Sequence, residues 1–304
     1  MTQQDITLGL GLDAGGTQTR WALARASGEI VAQGSVAGLS ALQMATEAGR
    51  AQVEAALAAL AREVTAVGRP ARAMAGVTGA DGSNALSALI ATQFGLREQD
   101  VDLRSDIEIA YLSVLAPGEG YLVYAGTGSF GAFVDADGML HRAGGRGGIL
   151  DDGGSGYWIA REALSLIWRR EDEHPGSWRD SPMAVEIFDF IGGPEWTHSR
   201  RLVYESERGA LGELALAVAA TAAMDPVSRS LLAAAGRELA RLAHALKARF
   251  GPRPVVVTGR GFTLHPLIGG SMRSALPGVS VIHRAAEAHL AAARIAAGKL
   301  APAT

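Results

Sequence analysis

Leu12-Asp13-Ala14-Gly15-Gly16-Thr17-Gln18-Thr19 closes the first apolar run of the chain, and its reading decides the fold. The run, residues 6–14 (ITLGLGLDA), is rich in β-branched and small residues and predicts a buried strand. It ends on a carboxylate, Asp13. Gly15 and Gly16 then let backbone N–H groups approach an anion, and the hydroxyls of Thr17 and Thr19 flank them. Such a nest suits phosphate, and an acid beside it can hold a phosphate-bound Mg²⁺ directly or through water. A plain β-hairpin with a polar turn satisfies the same letters. Further out, Arg20 to Ala26 alternates as a second strand, Ser27-Gly28 turns, and Glu29 to Val36 forms a third, an antiparallel opening.

The same pattern restarts a hundred residues later. Gly120 to Ala125 is a buried strand, Gly126-Thr127-Gly128-Ser129 a turn, and Phe130 to Val134 and Met139 to Ala143 two more strands joined at Asp137-Gly138. One Gly-Thr hairpin is weak evidence. Two at equivalent places predict a duplicated α/β domain with a cleft between the halves, where both turns grip one polyphosphate. The boundary is expected near Ala116-Pro117-Gly118.

Between these landmarks the first half reads as one long amphipathic helix over 41–64 and a strand from Arg72 to Val77. A helix over 83–94 follows, capped by Asp81 or Ser83, and then a strand at Val101 to Leu103 that runs into Ser105-Asp106 and a helix to Leu115. In the second half Gly144 to Gly156 opens a helix through Trp168, Arg170 to Arg179 is a surface loop, and 185–250 is mostly helical. Pro254 to Thr258 is a strand, Phe262 to Ser274 helical, Val279 to Ile282 a strand and 285–297 an Ala-rich helix.

Three further stretches carry candidate chemistry. Val255 to Phe262 (VVVTGRGF) is a strand–glycine turn–helix whose backbone could pass under a purine and ribose; a simple connector reads the same way. Asp106 stands at the carboxyl end of a strand, where clefts form; it is either an N-cap or a general base for phosphoryl transfer. The Asp151-Asp152 pair of Gly144 to Gly156 binds sugar hydroxyls or a metal, or only complements a helix dipole.

Composition removes other classes. The chain has 304 residues, net charge −3 and no cysteine. That excludes disulfide scaffolds, thiolate metal sites and thiol nucleophiles, and no basic excess exists for a nucleic-acid backbone. Glycine, 39 residues, is well above the usual share of about 7% and clusters without period. The motif GxxxxGK[ST] is absent, Gly9-x-Gly11 lacks the third glycine of a dinucleotide fingerprint, and the seven histidines show no metal spacing. No targeting signal or membrane span is visible, so a soluble, cytoplasmic protein is expected.

In order, DAGGTQTR, YAGTGSFG, GGRGGILDDGGSGYWIA and VVVTGRGF resemble the phosphate-1, phosphate-2, sugar-linked and adenosine segments of the actin/Hsp70/sugar-kinase superfold. Within it the chain looks most like the N-acetylglucosamine/glucosamine kinases grouped with BadF/BadG/BcrA/BcrD-type ATPases. The resemblance implies two ribonuclease H-like (actin-like ATPase) domains, residues 1–116 and 117–285, each a mixed five-stranded sheet flanked by helices, with a helix over 286–304 packing back on the first. It implies ATP and Mg²⁺, with Asp13 assisting the metal. Gly15, Gly16, Thr17, Thr19, Gly126, Thr127, Gly128 and Ser129 would bind phosphate, and Gly259 and Gly261 would line the adenosine site. Asp106 would be the base, and Ser40, Gly145 and Asp152 would contact the sugar together with it. The implied activity is phosphorylation of an amino sugar at the 6-hydroxyl by a homodimer. The alternatives are an ATPase without transfer, a non-catalytic sugar sensor, and an activator of a radical enzyme, the last disfavoured because no cysteine is available to hold its cluster. Sensors of this kind carry an added helix-turn-helix domain, for which a chain opening its phosphate strand at residue 6 is expected to have no room. Two departures concern the sugar. Asp151-Asp152-Gly153-Gly154-Ser155 replaces Gly-Asp-Glu-Gly-Ser, and Ser40-Ala41 stands where an Asn is expected.

Overall fold

The structure, a computed structural model, describes residues 8–80 and 84–298. It divides into two compact units, Met1–Pro117, Ala136–Gly138 and Ala286–Thr304 against Gly118–Asp135 and Met139–Ala285. In the first, β1 (Leu8–Ala14), β2 (Gln18–Arg25) and β3 (Ile30–Ala37) form the antiparallel meander. Then come α1 (Glu47–Val67), β4 (Pro70–Val77), α2 (Asn84–Phe94), β5 (Val101–Ser105) and α3 (Asp106–Leu112). The sheet order is β3-β2-β1-β4-β5, with β1, β4 and β5 parallel. Ala14 is in register with Val77, and Val77 with Ser105, so the residues just past these strand ends lie along one edge. α1 buries Val53, Leu57, Leu60, Ala61 and Val64, an apolar stripe at helical spacing, against the sheet.

The expected helix over 41–64 is two elements. Ser40 caps a short 3₁₀ turn, Ala41–Ala45, through a reciprocal capping box with Gln43, and Thr46 caps α1 by accepting from the Gly49 N–H. Local side-chain hydrogen bonds outcompete the apolar periodicity there. The proposed caps of α2, Asp81 and Ser83, lie outside the described residues.

The second unit repeats the topology. Its elements are β6 (Tyr121–Ala125), β7 (Ser129–Val134), β8 (Leu140–Gly144), α4 (Gly156–Glu173), α5 (Pro182–Ile191), α6 (Trp196–Glu205), α7 (Arg208–Gly212), α8 (Leu214–Ala220), α9 (Pro226–Phe250), β9 (Val255–Thr258), α10 (Arg260–Thr263), α11 (Pro266–Ala275) and β10 (Val281–His283). The order is β10-β9-β6-β7-β8, with β6, β9 and β10 parallel and β6, β7 and β8 antiparallel. α9 buries Leu231, Ala235, Leu239, Leu242 and Leu246 in this core. Part of the surface loop expected over 170–179 is ordered. α4 runs to Glu173, and the Glu171 carboxylate accepts from the Gly176 and Trp178 N–H groups and the Ser177 hydroxyl, tying a 3₁₀ turn onto the helix. The helix expected over 262–274 breaks before Pro266, whose ring cannot continue it.

The last helix, α12 (Ala288–Ala296), packs on the first unit's sheet. Gly9 and Gly11 explain the fit. A Cβ on Gly9 would strike the α12 backbone at Ala293 and Ala297, and one on Gly11 would strike it at His289 and Ala293. The two glycines that fail as a dinucleotide fingerprint are therefore the floor on which a helix lies.

Candidate functional site

The first hairpin closes through Gly15 N–H to the Gln18 carbonyl at 3.0 Å, while Gly38 N–H holds the Thr17 carbonyl at 3.2 Å. The N–H groups of Gly16 and Thr17 make no hydrogen bond among the described residues, and both residues are exposed. The Thr17 carbonyl is tied down and both donors are open, which is the arrangement an anion needs. Thr19 differs: its side chain is fully buried, and its hydroxyl has no hydrogen-bond partner among the described residues.

Asp13, the penultimate residue of β1, is half-buried. Burial and the nearby Asp106 carboxylate push its carboxyl up from the ordinary value, against a smaller pull from Arg20. Asp106 is the first residue of α3, but it is not the cap. Ser105 caps the helix by accepting from Glu108 N–H. The Asp106 carboxylate instead accepts from the Thr78 hydroxyl at 2.7 Å and from Ile107 N–H at 2.9 Å. Thr78, just past β4, donates its N–H to the Ala14 carbonyl, and its own carbonyl accepts from the Ser40 hydroxyl at 3.0 Å and from Ala41 N–H. Thr78 is thus bonded to Ala14, Ser40 and Asp106, and Asp13 lies near enough to Asp106 to be raised by it. Sequence reasoning missed Thr78; its signal was a hydroxyl followed by Gly79 at a parallel strand's end.

The second hairpin closes through Gly126 N–H to the Gly128 carbonyl at 2.9 Å. The first amides of α4 hold it from behind, Gly156 N–H on the Gly126 carbonyl and Tyr157 N–H on the Thr127 carbonyl. The N–H groups of Thr127 and Gly128 make no hydrogen bond among the described residues. Ser129 is buried and donates to the Gly153 carbonyl at 2.7 Å, so its hydroxyl is already committed to the Gly144 to Gly156 segment. Gly145 sits at φ +66° against Phe130, whose ring stacks on Tyr124. Gly259 and Gly261 pack on the Ala125 carbonyl, which a Cβ at Gly259 would strike; their immediate use is close strand packing.

Asp151 and Asp152 do not serve the α4 dipole, since Ser155 caps that helix. Each is paired with an arginine instead: Asp151 with Arg241, which also binds Glu238, and buried Asp152 with Arg208 of α7. A side chain at Gly153 would meet the Glu238 carboxylate at 2.6 Å, so Glu238 occupies the space beside that glycine. Arg208, Arg241 and Glu238 carry no sequence signal, being distant in the chain.

Among the described residues, no group of three or more His, Cys, Asp or Glu could hold a metal ion alone. Asp13 fits one that shares its ligands with phosphate: it is a half-buried carboxylate raised by the nearby Asp106, with no arginine in ion-pair contact among the described residues. No helix among the described residues is long and apolar enough to cross a membrane.

Two mixed five-stranded sheets of this repeated order, flanked by helices, define the actin-like ATPase fold. Residues 10–282 match the BadF/BadG/BcrA/BcrD ATPase family, and the chain belongs to it. It is similar in structure to a candidate N-acetylglucosamine kinase of Chromobacterium violaceum, at 24% identity over 94% of this chain and 98% of the other, with a TM-score of 0.66. A second candidate N-acetylglucosamine kinase, from Porphyromonas gingivalis, matches at 16% identity over 94% and 96%, with a TM-score of 0.69. A ROK family glucokinase of Streptomyces griseus, solved with glucose and AMPPNP, matches at 17% over 96% and 100%, with a TM-score of 0.61.

Proposed function

We propose that the protein is an ATP-dependent sugar kinase whose acceptor is an amino sugar, N-acetylglucosamine or glucosamine, phosphorylated at its 6-hydroxyl. The two units are read as the N-terminal and C-terminal actin-like ATPase domains. The observation that carries the reading is Asp106, a carboxylate oriented by Thr78 and Ile107 and released from capping by Ser105.

In this mechanism Asp106 accepts the proton of the acceptor hydroxyl as its oxygen bonds to the γ-phosphorus and the bond to the ADP oxygen breaks. The open N–H groups of Gly16 and Thr17, and of Thr127 and Gly128, stabilise phosphate charge. Asp13 would hold Mg²⁺, which would supply positive charge against the phosphate oxygens. Gly259 and Gly261 border the adenosine, and Ser40, Gly145 and Asp152 the sugar. The nucleotide substrate implies a cytoplasmic setting, and family resemblance implies a homodimer.

The test is ADP release over a panel of sugars, with and without Mg²⁺. Sugar-dependent release with one phosphorylated sugar per ADP supports the reading. ADP release indifferent to sugar points to an ATPase without transfer and overturns it. Asp106→Asn is expected to keep nucleotide binding and lower turnover by about 10³-fold or more; near-normal turnover would remove Asp106 from its role.

A further inference from the structure

Asp152 is buried at φ 59°, the one non-glycine residue in the left-handed region among the described residues. Its Oδ2 accepts from Nη2 of Arg208, the first residue of α7. Arg208 is half-exposed, and its guanidinium stands over the Tyr157 ring, 5.1 Å from the centroid. The same nitrogen lies against Gly148, 3.2 Å from where a Cβ would stand, and Asp152 Oδ2 lies 3.0 Å from the equivalent point on Gly128. The carboxylate therefore sits between the phosphate hairpin and a cation, with the cation on the solvent side.

Charge balance follows from this geometry. Asp152 is paired with Arg208, and Asp151 shares Arg241 with Glu238, so two guanidiniums face three carboxylates here. One of the five N–H groups of the Arg208 guanidinium is spent on Asp152, leaving donors for oxygen atoms of a ligand. Arg146, exposed in the same loop, makes no ion pair among the described residues. Among the described residues both acids of the loop are ion-paired, Arg146 is its exposed charge without an ion pair, and the cation nearest Asp152 is Arg208.

We infer that Arg208 is a specificity-determining residue, which makes the site around Asp152 accept an amino sugar with an uncharged, acylated nitrogen and reject one with a free ammonium. This rests on the phosphotransfer reading and on Asp152 as an acceptor ligand. The guanidinium repels an ammonium held nearby and cancels the carboxylate that would attract it, an effect on the order of tenfold or more in selectivity.

The test compares kcat/KM for N-acetylglucosamine and glucosamine at about pH 6.5, where the amine of glucosamine is charged. The wild-type ratio is expected to exceed about ten. Arg208→Gln, which frees Asp152, lowers the ratio several-fold. Asp152→Asn, which leaves the guanidinium unopposed, raises it, and Arg208→Lys keeps it. A purely structural role moves both acceptors together and leaves the ratio unchanged in every variant, which overturns the inference. Should Arg208→Gln fail to fold, Asp152→Asn alone decides by the sign of its shift. If neither sugar is phosphorylated, dissociation constants from calorimetry give the same ratio. An Arg208-dependent preference in binding alone sustains the inference while the kinase reading fails, and no binding of either sugar overturns both.

Discussion

The two units are built alike and charged differently. Each presents a glycine hairpin with carbonyls tied back and two open N–H groups. In the first, Asp13 at the sheet edge is raised by burial and by Asp106 against a smaller pull from Arg20, and among the described residues neither acid has an arginine in ion-pair contact. In the second, Asp151 and Asp152 are each matched by an arginine. The lesson is that duplicated backbone does not duplicate chemistry. The first unit is left with carboxylate charge that only a cation or a proton relieves, which suits metal binding and proton abstraction. In the second, each of the two loop acids has a guanidinium against it, though Asp151 shares its own with Glu238.

The largest expected effect breaks the first unit's half of that contrast. Asp13→Asn should lower kcat with Mg²⁺-ATP by about 10³-fold or more while raising the melting temperature of the ligand-free protein. The sign follows from linkage. A carboxyl raised in the folded state binds its proton more tightly there than in the unfolded chain, so its stability contribution is full at low pH. That contribution falls as pH rises from about 4 through the folded value. Differential scanning calorimetry from pH 4 to neutrality should show this slope flattened in the variant, and Mg²⁺ with nucleotide should no longer raise its melting temperature.

Next in size is Asp225, the buried acid that holds the second unit's helices. Burial works against its ionisation, yet the Met183 N–H, the Ser181 hydroxyl and the N–H groups of Val227 and Ser228 hold its carboxyl below the ordinary value. Asp225→Ala is expected to cost about 2–4 kcal/mol in urea unfolding. In the wild type this contribution is present above the unfolded pKa of about 4 and is lost as pH falls through the folded one. An unchanged urea midpoint would remove Asp225 from that role.

Thr78→Val sharpens the comparison more finely, because it removes only the hydroxyl that orients Asp106. A fall in kcat of roughly 10–100-fold with little change in KM is expected, read by steady-state kinetics with folding checked by circular dichroism. The smallest effect is set by the hairpins themselves. A Cβ on Gly16 meets nothing within 4 Å, whereas one on Gly128 meets the Asp152 carboxylate at 3.0 Å. Gly16→Ala should therefore change ATP KM by no more than a few-fold, and Gly128→Ala should perturb sugar KM more than ATP KM.

Much of this was legible in the letters. Buried strands ending in glycine turns announce themselves by local composition, so both meanders, their hairpins and the repeat between them could be read directly. The placement of Asp13 and Asp106 at the sheet's edge was legible because carboxylates at strand ends have a local address. Where side chains bond to nearby backbone, as at Ser40, Thr46 and Glu171, element boundaries moved, since such bonds compete with apolar periodicity over short distances.

Sequence order by itself determined the duplicated sheet and the open N–H groups of its turns, because hairpin geometry depends on a few consecutive residues. Only the tertiary structure decided which acids are paired. Arg208 and Arg241 reach Asp152 and Asp151 across 56 and 90 positions of chain. It also decided that Thr78 orients Asp106 and that Gly9 and Gly11 receive α12. Pair interactions depend on distance in space, and parallel strand register and helix packing set that distance without leaving a local pattern.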